Sequence, residues 1–198
     1  LSKESDSVLI GSKTGMAIHF RLDINELRPL GRTARGVKSM NLREGDSLVS
    51  MDVLTSNLVD QLTKIDDLTE DLDDNVDENS SDGPWVLIAS AFGLGKRVPV
   101  AQFRLQKRAG MGLRAIKFRI KDDQLVCLKV LGEGEELLLV TEKGVIVRTN
   151  ADKISQQSRA ATGVKLQRLD DGDHLSEVVL VPHEQISGED QLSSVEQN

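Results

Sequence analysis

The residues best equipped for chemistry in this 198-residue chain are its cations. Nine lysines and arginines lie between Gly93 and Lys121 with no acid among them: Lys96, Arg97, Arg104, Lys107, Arg108, Arg114, Lys117, Arg119 and Lys121. They alternate with apolar residues rather than running together, so the segment can be folded and basic at once. That pattern suggests a phosphate-facing surface built on strands and loops, although the solvated face of an ordinary β domain has a similar composition. Groups that could make or break bonds are scarce. His19, His174 and His183 stand far apart, without the spacing of metal ligands. Gly93-Leu94-Gly95-Lys96 lacks the four-residue gap and the Lys-Ser/Thr pair of a phosphate loop. The single cysteine, Cys127, lies in an apolar run and reads as an inert buried thiol. The chain contains no tyrosine, which excludes a tyrosyl nucleophile. These residues describe a binding module.

The net charge of −7 conceals a division along the chain. Residues 55–85 carry ten acids against Lys64 alone, and residues 183–198 carry four acids with no Lys or Arg. Residues 86–131 hold ten bases against two acids. A basic body with acidic appendages is a different object from an acidic protein. No run of eighteen apolar residues is present, so a membrane-spanning helix is not expected. The chain opens on Leu1 without a signal-peptide pattern, as a piece of a longer protein would. One cysteine fits a reducing, cytosol-like compartment.

The elements that must hold these cations are repeated three times. The copies open with Val8-Leu9-Ile10, Val86-Leu87-Ile88 and Leu137-Leu138-Leu139-Val140. Each continues through a glycine-bearing turn (Gly15, Gly93, Gly144) into Met16-Ala17-Ile18, Lys96-Arg97-Val98 and Val145-Ile146-Val147. These are short β-hairpins. About twenty residues later comes a second shared block: Arg32-Thr33-Ala34-Arg35-Gly36-Val37-Lys38, Arg108-Ala109-Gly110-Met111-Gly112-Leu113-Arg114 and Arg159-Ala160-Ala161-Thr162-Gly163-Val164-Lys165. Its form is Arg, three residues, Gly, an aliphatic residue and a base. The recurrent Gly36, Gly112 and Gly163 suggest a left-handed backbone or a close approach that no side chain allows. A strand is expected after each block, ending in Leu42, Phe118 and Leu169. Acidic turns and the apolar runs Leu48–Leu54, Leu125–Leu131 and Leu175–Val181 complete the units.

Four strands in roughly 45 residues is the size of a propeller blade. The sequence therefore predicts an all-β, propeller-like array of three four-stranded blades at 1–54, 86–131 and 132–182. Residues 55–85 form an acidic, disordered insertion and residues 183–198 an acidic, disordered tail.

The repeats resemble the C-terminal β-pinwheel domain of the DNA gyrase A subunit, a type IIA topoisomerase component. The likeness rests on Gly11–Val37, Pro84–Ile116 and Val140–Val164, and above all on Gly144-Val145-Ile146-Val147-Arg148-Thr149, Ser158–Val164 and Asp171-Gly172-Asp173. It covers nearly the whole chain apart from the insertion and the tail. The resemblance implies a six-bladed domain, of which these three blades would be the last half, wrapping duplex DNA around its outer rim. The family's gyrase box has the form Gln-basic-Arg-Gly-Gly-basic-Gly. Gln106-Lys107-Arg108-Ala109-Gly110-Met111-Gly112 departs from it at Ala109 and Met111, so it is not the box.

The resemblance further implies that this segment supports ATP-dependent negative supercoiling by the whole enzyme. The catalytic tyrosine would lie in the N-terminal part of the same polypeptide, and the ATPase site, with its ATP and Mg, in the gyrase B subunit of a heterotetramer. No cofactor, metal or membrane is expected for the segment itself. The location would be the bacterial cytoplasm, at the nucleoid, or an organelle in a plant or alga. The contacts expected on DNA are Arg32, Arg35, Lys38, Lys96, Arg97, Arg104, Lys107, Arg108, Arg114, Lys117, Arg119, Lys121, Arg148, Arg159 and Lys165. They would position phosphates without reading bases. With one Trp, four Phe and no Tyr, stacking on single strands is not expected. Two other readings fit the same residues: the related domain of the topoisomerase IV A subunit, and a protein-binding propeller fragment with no DNA role.

Overall fold

The computed structural model describes residues 2–3, 5–25, 27–56, 58, 83–132 and 134–181. Most of the acidic insertion and all of the tail expected at 183–198 lie outside the described residues.

Each repeat builds a three-stranded antiparallel unit. In the first, β1 (Ser7–Ser12) and β2 (Met16–Arg21) form the hairpin, and β3 (Leu48–Leu54) pairs on the other side of β1. In the second, β4 (Trp85–Ser90), β5 (Leu94–Pro99) and β7 (Leu125–Leu131) repeat that arrangement. In the third, it is β8 (Glu136–Thr141), β9 (Ile146–Asn150) and β11 (Leu175–Val181). The turns are tight because Gly15, Gly93 and Gly144 take φ of 82°, 75° and 83°, a region open to glycine at little cost. The three apolar runs read from the sequence are β3, β7 and β11, residue for residue.

The fourth strand does not come from the repeat it completes. Leu113–Arg114 of the second repeat form β6, which pairs with β2 of the first through Met16↔Arg114 and Ala17↔Leu113. Val164–Lys165 of the third form β10, which pairs with β5 of the second through Leu94↔Lys165 and Gly95↔Val164. The sheets therefore run β3-β1-β2-β6, β7-β4-β5-β10 and β11-β8-β9. The repeats expected at 1–54, 86–131 and 132–182 are thus not self-contained four-stranded blades. A repeat and a sheet are different objects, and each repeat closes the sheet before it. The strand lies within the shared block rather than after it. Around Gly36 the first block forms no strand among the described residues.

The sheets stack face to face. Leu9, Ala17 and Leu54 of the first meet Val86, Ile88, Val98, Phe103, Ile116 and Leu128 of the second. Leu87, Ala89, Cys127 and Leu131 use the opposite face of the second sheet to meet Leu137, Leu139, Ala151, Leu175 and Val178 of the third. The central strand β4 is buried along its whole length, as a strand covered on both faces must be. In β8, burial alternates: Leu137 and Leu139 face the stack while Leu138 and Val140 lie on the other side. Trp85, expected in the insertion, opens β4 and is 4% exposed.

The exchange depends on backbone approaching backbone. A Cβ on Gly112, at φ 75°, would strike the carbonyl oxygen of Ala17, and one on Gly163, at φ 95°, would lie 2.7 Å from that of Gly95. A Cβ on Gly36, at φ 78°, meets nothing within 4 Å. Gly112→Val should therefore lower unfolding free energy by at least about 2 kcal/mol, through strain and loss of β6 pairing. Gly36→Val should cost roughly 1 kcal/mol, from backbone conformation alone. Urea denaturation of the two variants checks the contrast.

Candidate nucleic-acid interface

Strand exchange brings the three basic blocks to one edge of the stack and lays them side by side. Neighbouring blocks are joined by the same contacts each time. Arg108 Nη1 donates to the Lys38 carbonyl at 2.5 Å, and Arg159 Nη1 donates to the Arg114 carbonyl at 2.7 Å. The first arginine of each later block thus caps the last residue of the block before it. Backbone bonds run in parallel: Asn41 N–H to Gly110 O at 2.8 Å, and its counterpart Lys117 N–H to Ala161 O at 3.3 Å. Arg32, Arg35, Lys38, Arg104, Lys107, Arg114, Lys117, Arg119, Lys121 and Lys165 are exposed in and beside these blocks.

Arg108 and Arg159 are half-buried, and their bonds to carbonyls make them ties between blocks as well as charges. Burial, followed by the nearby Arg104 charge, holds the Arg159 guanidinium below its ordinary pKa. Arg148 is exposed on β9 and paired with Glu136, its Nε 2.9 Å from Oε2.

Two expected DNA contacts are placed elsewhere. Lys96 is fully buried. Its Nζ donates to the carbonyls of Ser158, Arg159 and Ala161 at 2.8, 2.7 and 2.7 Å, so it ties the third block to β5 and has no free face for a phosphate. Arg97 has a side chain 13% exposed and is ion-paired to Asp152 at 3.0 Å. Its Nε donates to the Ile154 carbonyl at 2.9 Å and its guanidinium lies 5.1 Å from the centre of the Trp85 ring. Both residues stand in the hairpin, whose faces are consumed by stacking. Neighbouring cations in sequence alternate sides of a strand, which a count of charge does not reveal.

Residues not singled out from the sequence share the edge's chemistry. Arg168 and Arg43 are exposed; they occupy the register positions of Lys117 and Arg119, counted from the block glycines. Superposing the repeats would have found them.

The histidine at the register position of Arg97 plays the same mechanical part. His19 is 3% exposed. Its Nδ1 lies 2.7 Å from the Phe103 carbonyl, which requires Nδ1–H as donor, leaving Nε2 to accept from Ser7 Oγ at 2.7 Å. Phe103 and Ile154 each follow a 3-10 turn (Val100–Gln102, Ala151–Lys153), so both bonds latch a hairpin to the next repeat. Burial lowers the His19 pKa and keeps the ring neutral, against the opposing pull of the Phe103 carbonyl. Cys127 is buried, and burial pushes its thiol up to about 12, which leaves no thiolate for nucleophilic work.

The profile of the DNA gyrase C-terminal domain, beta-propeller, matches residues 6–55, 84–126 and 135–182. The chain belongs to that family. It is 50% identical over its whole length to the DNA gyrase A subunit of Synechocystis sp., of which it spans 23%. The solved structure of a DNA gyrase A C-terminal domain superposes with a TM-score of 0.66 at 30% identity, over 88% of this chain and 50% of that one. The C-terminal domain of DNA topoisomerase IV superposes at 0.65 with 18% identity, over 90% and 48%, which shows a shared fold. The all-β, pinwheel-type architecture read from the repeats is the architecture of the family.

Lys96 gives the family fold a pH signature in this chain. Three carbonyl acceptors match the three N–H groups of an ammonium, yet burial, and then the Arg159 charge, bring the Lys96 pKa down to about 7. An unfolded lysine titrates near 10.4. Between these values the unfolded chain binds the extra proton, so this residue makes stability rise as pH climbs from about 7 toward 10. Lys96→Met should remove that rise. It should also cost about 2–4 kcal/mol at neutral pH, because three buried carbonyls lose their donor. Denaturation midpoints of both proteins between pH 7 and 9.5 check the sign.

Proposed function

We propose that this chain is the DNA-binding and DNA-wrapping C-terminal part of a gyrase A subunit. The observation that carries this reading is the common edge: three homologous blocks, joined block to block, hold five of the ten exposed expected cations, and the other five flank the second block. Its purpose is electrostatic. Lysines and arginines contact phosphates and release counterions, fixing the duplex without reading its bases. Bending a short duplex costs several kcal/mol, and a row of individually weak contacts along a border supplies the compensation. The buried faces have no part in this, since they hold the sheets together.

In the whole enzyme, the wrapped segment would be delivered to the N-terminal part of the same polypeptide. ATP and Mg would be used through the gyrase B subunit, in a heterotetramer working at the bacterial nucleoid. The 50% identity to a gyrase A subunit, against 18% for the topoisomerase IV domain, favours gyrase over its sister enzyme.

Duplex binding measured against salt is the test. With about six phosphates engaged, affinity should fall roughly a thousandfold between 50 and 200 mM monovalent salt. Replacing Arg35, Arg114 and Lys165 together by alanine should reduce the log–log slope by about 3, with the urea midpoint unchanged because all three side chains are exposed. A flat salt dependence, or a slope indifferent to the triple substitution, would remove the proposal.

A further inference from the structure

The second repeat departs from the other two in what it exposes between its cations. Leu105, Met111 and Ile120 are 36%, 47% and 46% exposed, while Phe103, Ala115 and Ile116 of the same segment are buried. The packing of the joint is thus already made, and these three aliphatic side chains are left over from it. At the register of Leu105, counted from the block glycines, stand Pro29 and Gln156; at that of Met111 stand Arg35 and Thr162. Neither of the other repeats carries a large aliphatic side chain at either position. One exposed aliphatic residue needs no explanation, but here three lie in one repeat, each within three residues of an exposed cation.

Ile120 stands on a turn that is one residue longer than its counterparts. Asp46, Asp123 and Asp173 hold equivalent positions, each accepting a hairpin-turn N–H, from Thr14, Phe92 and Lys143 at 3.0, 3.1 and 3.1 Å. Gly36 and Gly163 precede their aspartates by ten positions, and Gly112 precedes Asp123 by eleven. The left-handed residue just before the aspartate is Gly45, Asp122 or Gly172, at φ of 77°, 66° and 64°. Leading into it are Arg43-Glu44 in the first repeat and Asp170-Asp171 in the third, but Arg119-Ile120-Lys121 in the second. A turn that is mixed or acidic elsewhere is here basic, with an isoleucine at its centre. Phe118 packed over Gly15 braces one end of it, and Asp123 on the Phe92 N–H braces the other.

The second block also has a block bonded to it on each side, since Arg108 reaches Lys38 and Arg159 reaches Arg114. A duplex lying along the three blocks has to cross it. No acid occurs between Gly93 and Lys121, so the field around the three side chains selects a polyanion. On duplex DNA, aliphatic groups meet deoxyribose and the minor groove, where Leu, Ile and Met partly unstack a base step and kink the helix. Phosphate contacts do not do this, because they hold the backbone without entering a groove.

We propose that Leu105, Met111 and Ile120 form an apolar contact with the minor groove of the bound duplex. This contact makes the second repeat a point of sharp bending and gives binding a component that salt does not screen. The inference rests on the DNA-binding reading above and adds a difference between repeats. The first and third blocks grip phosphates, and the second also enters the groove.

Duplex affinity measured against salt separates the two components in the 198-residue chain. Cations set the slope, while apolar contact appears in the affinity extrapolated to about 1 M salt. Leu105→Gln, Met111→Thr and Ile120→Ser combined change no charge, and the first two install the residues of the third repeat. This polar variant should keep the slope and lose roughly ten- to a hundredfold of the extrapolated affinity. It should also bend the duplex less, read by energy transfer between dyes at the two ends of the bound DNA. A conservative variant, Met111→Leu with Ile120→Leu, should retain both affinity and bend. A polar variant that binds and bends like the unaltered chain overturns the inference, as does an equal loss in the conservative variant; either result leaves the DNA-binding reading standing. Absence of duplex binding by the unaltered chain at low salt overturns that reading, and this inference with it.

Discussion

The whole arrangement depends on one close approach, the backbone of a block glycine lying against the carbonyl of the preceding hairpin. Gly112 on Ala17 and Gly163 on Gly95 leave no room for a side chain. Because the contact is made only at positive φ, it fixes the direction in which the chain enters the neighbouring sheet as well as its distance. Two-residue strands such as β6 and β10 could not hold a sheet edge on hydrogen bonds alone. They are held because glycine lets them seat deeply, and because the residues that follow, Ile116 and Phe118 in one case and Gln167 and Leu169 in the other, close over the turn glycine of the accepting hairpin.

From this contact follows a division of labour between nitrogen groups. Three on the hairpins point inward and are consumed by the joint: His19 and Arg97 bond carbonyls that follow the next repeat's 3-10 turn, and Lys96 bonds three carbonyls in and just before the next repeat's block. Most of those on the blocks are exposed, while Arg108 and Arg159 are half-buried and tie one block to the next. Lys96 and Arg114 are thus both cations of one basic segment, and one is mortar while the other faces solvent. Burying an ammonium is expensive; the three carbonyls around Lys96 offset part of that cost, and burial still brings its pKa down to about 7.

Much of this was legible in the sequence because tandem repetition acts as an internal alignment. The three apolar runs became β3, β7 and β11 without adjustment, the turn glycines fell at the turns, and the buried Cys127 was evident from its apolar neighbours. The exchange was not legible. A block such as Gly112-Leu113-Arg114 reads the same whether it pairs with its own hairpin or the preceding one, and nothing local distinguishes the two. Lys96 and Arg97 were misread for a related reason. Charge density marks a segment, while inside or outside is decided by strand alternation and by which neighbour covers the face. Arg43 and Arg168 were missed because they lie beyond the shared block, though in register with Lys117 and Arg119.

Placing the cations on the exchanged strands has a mechanical consequence. The facing sides of the sheets are used up by stacking, with β4 buried on both sides, so the central sheet offers a ligand only its edges. An edge made from the repeat that follows moves with the joint between two sheets. Arg108 and Arg159 bind it to the block before, so the spacing of charges along the border is set by the same contacts that set the angle between sheets. Under the proposed function, changes at the buried glycines and at Lys96 would alter the joint without altering a single exposed cation of the blocks.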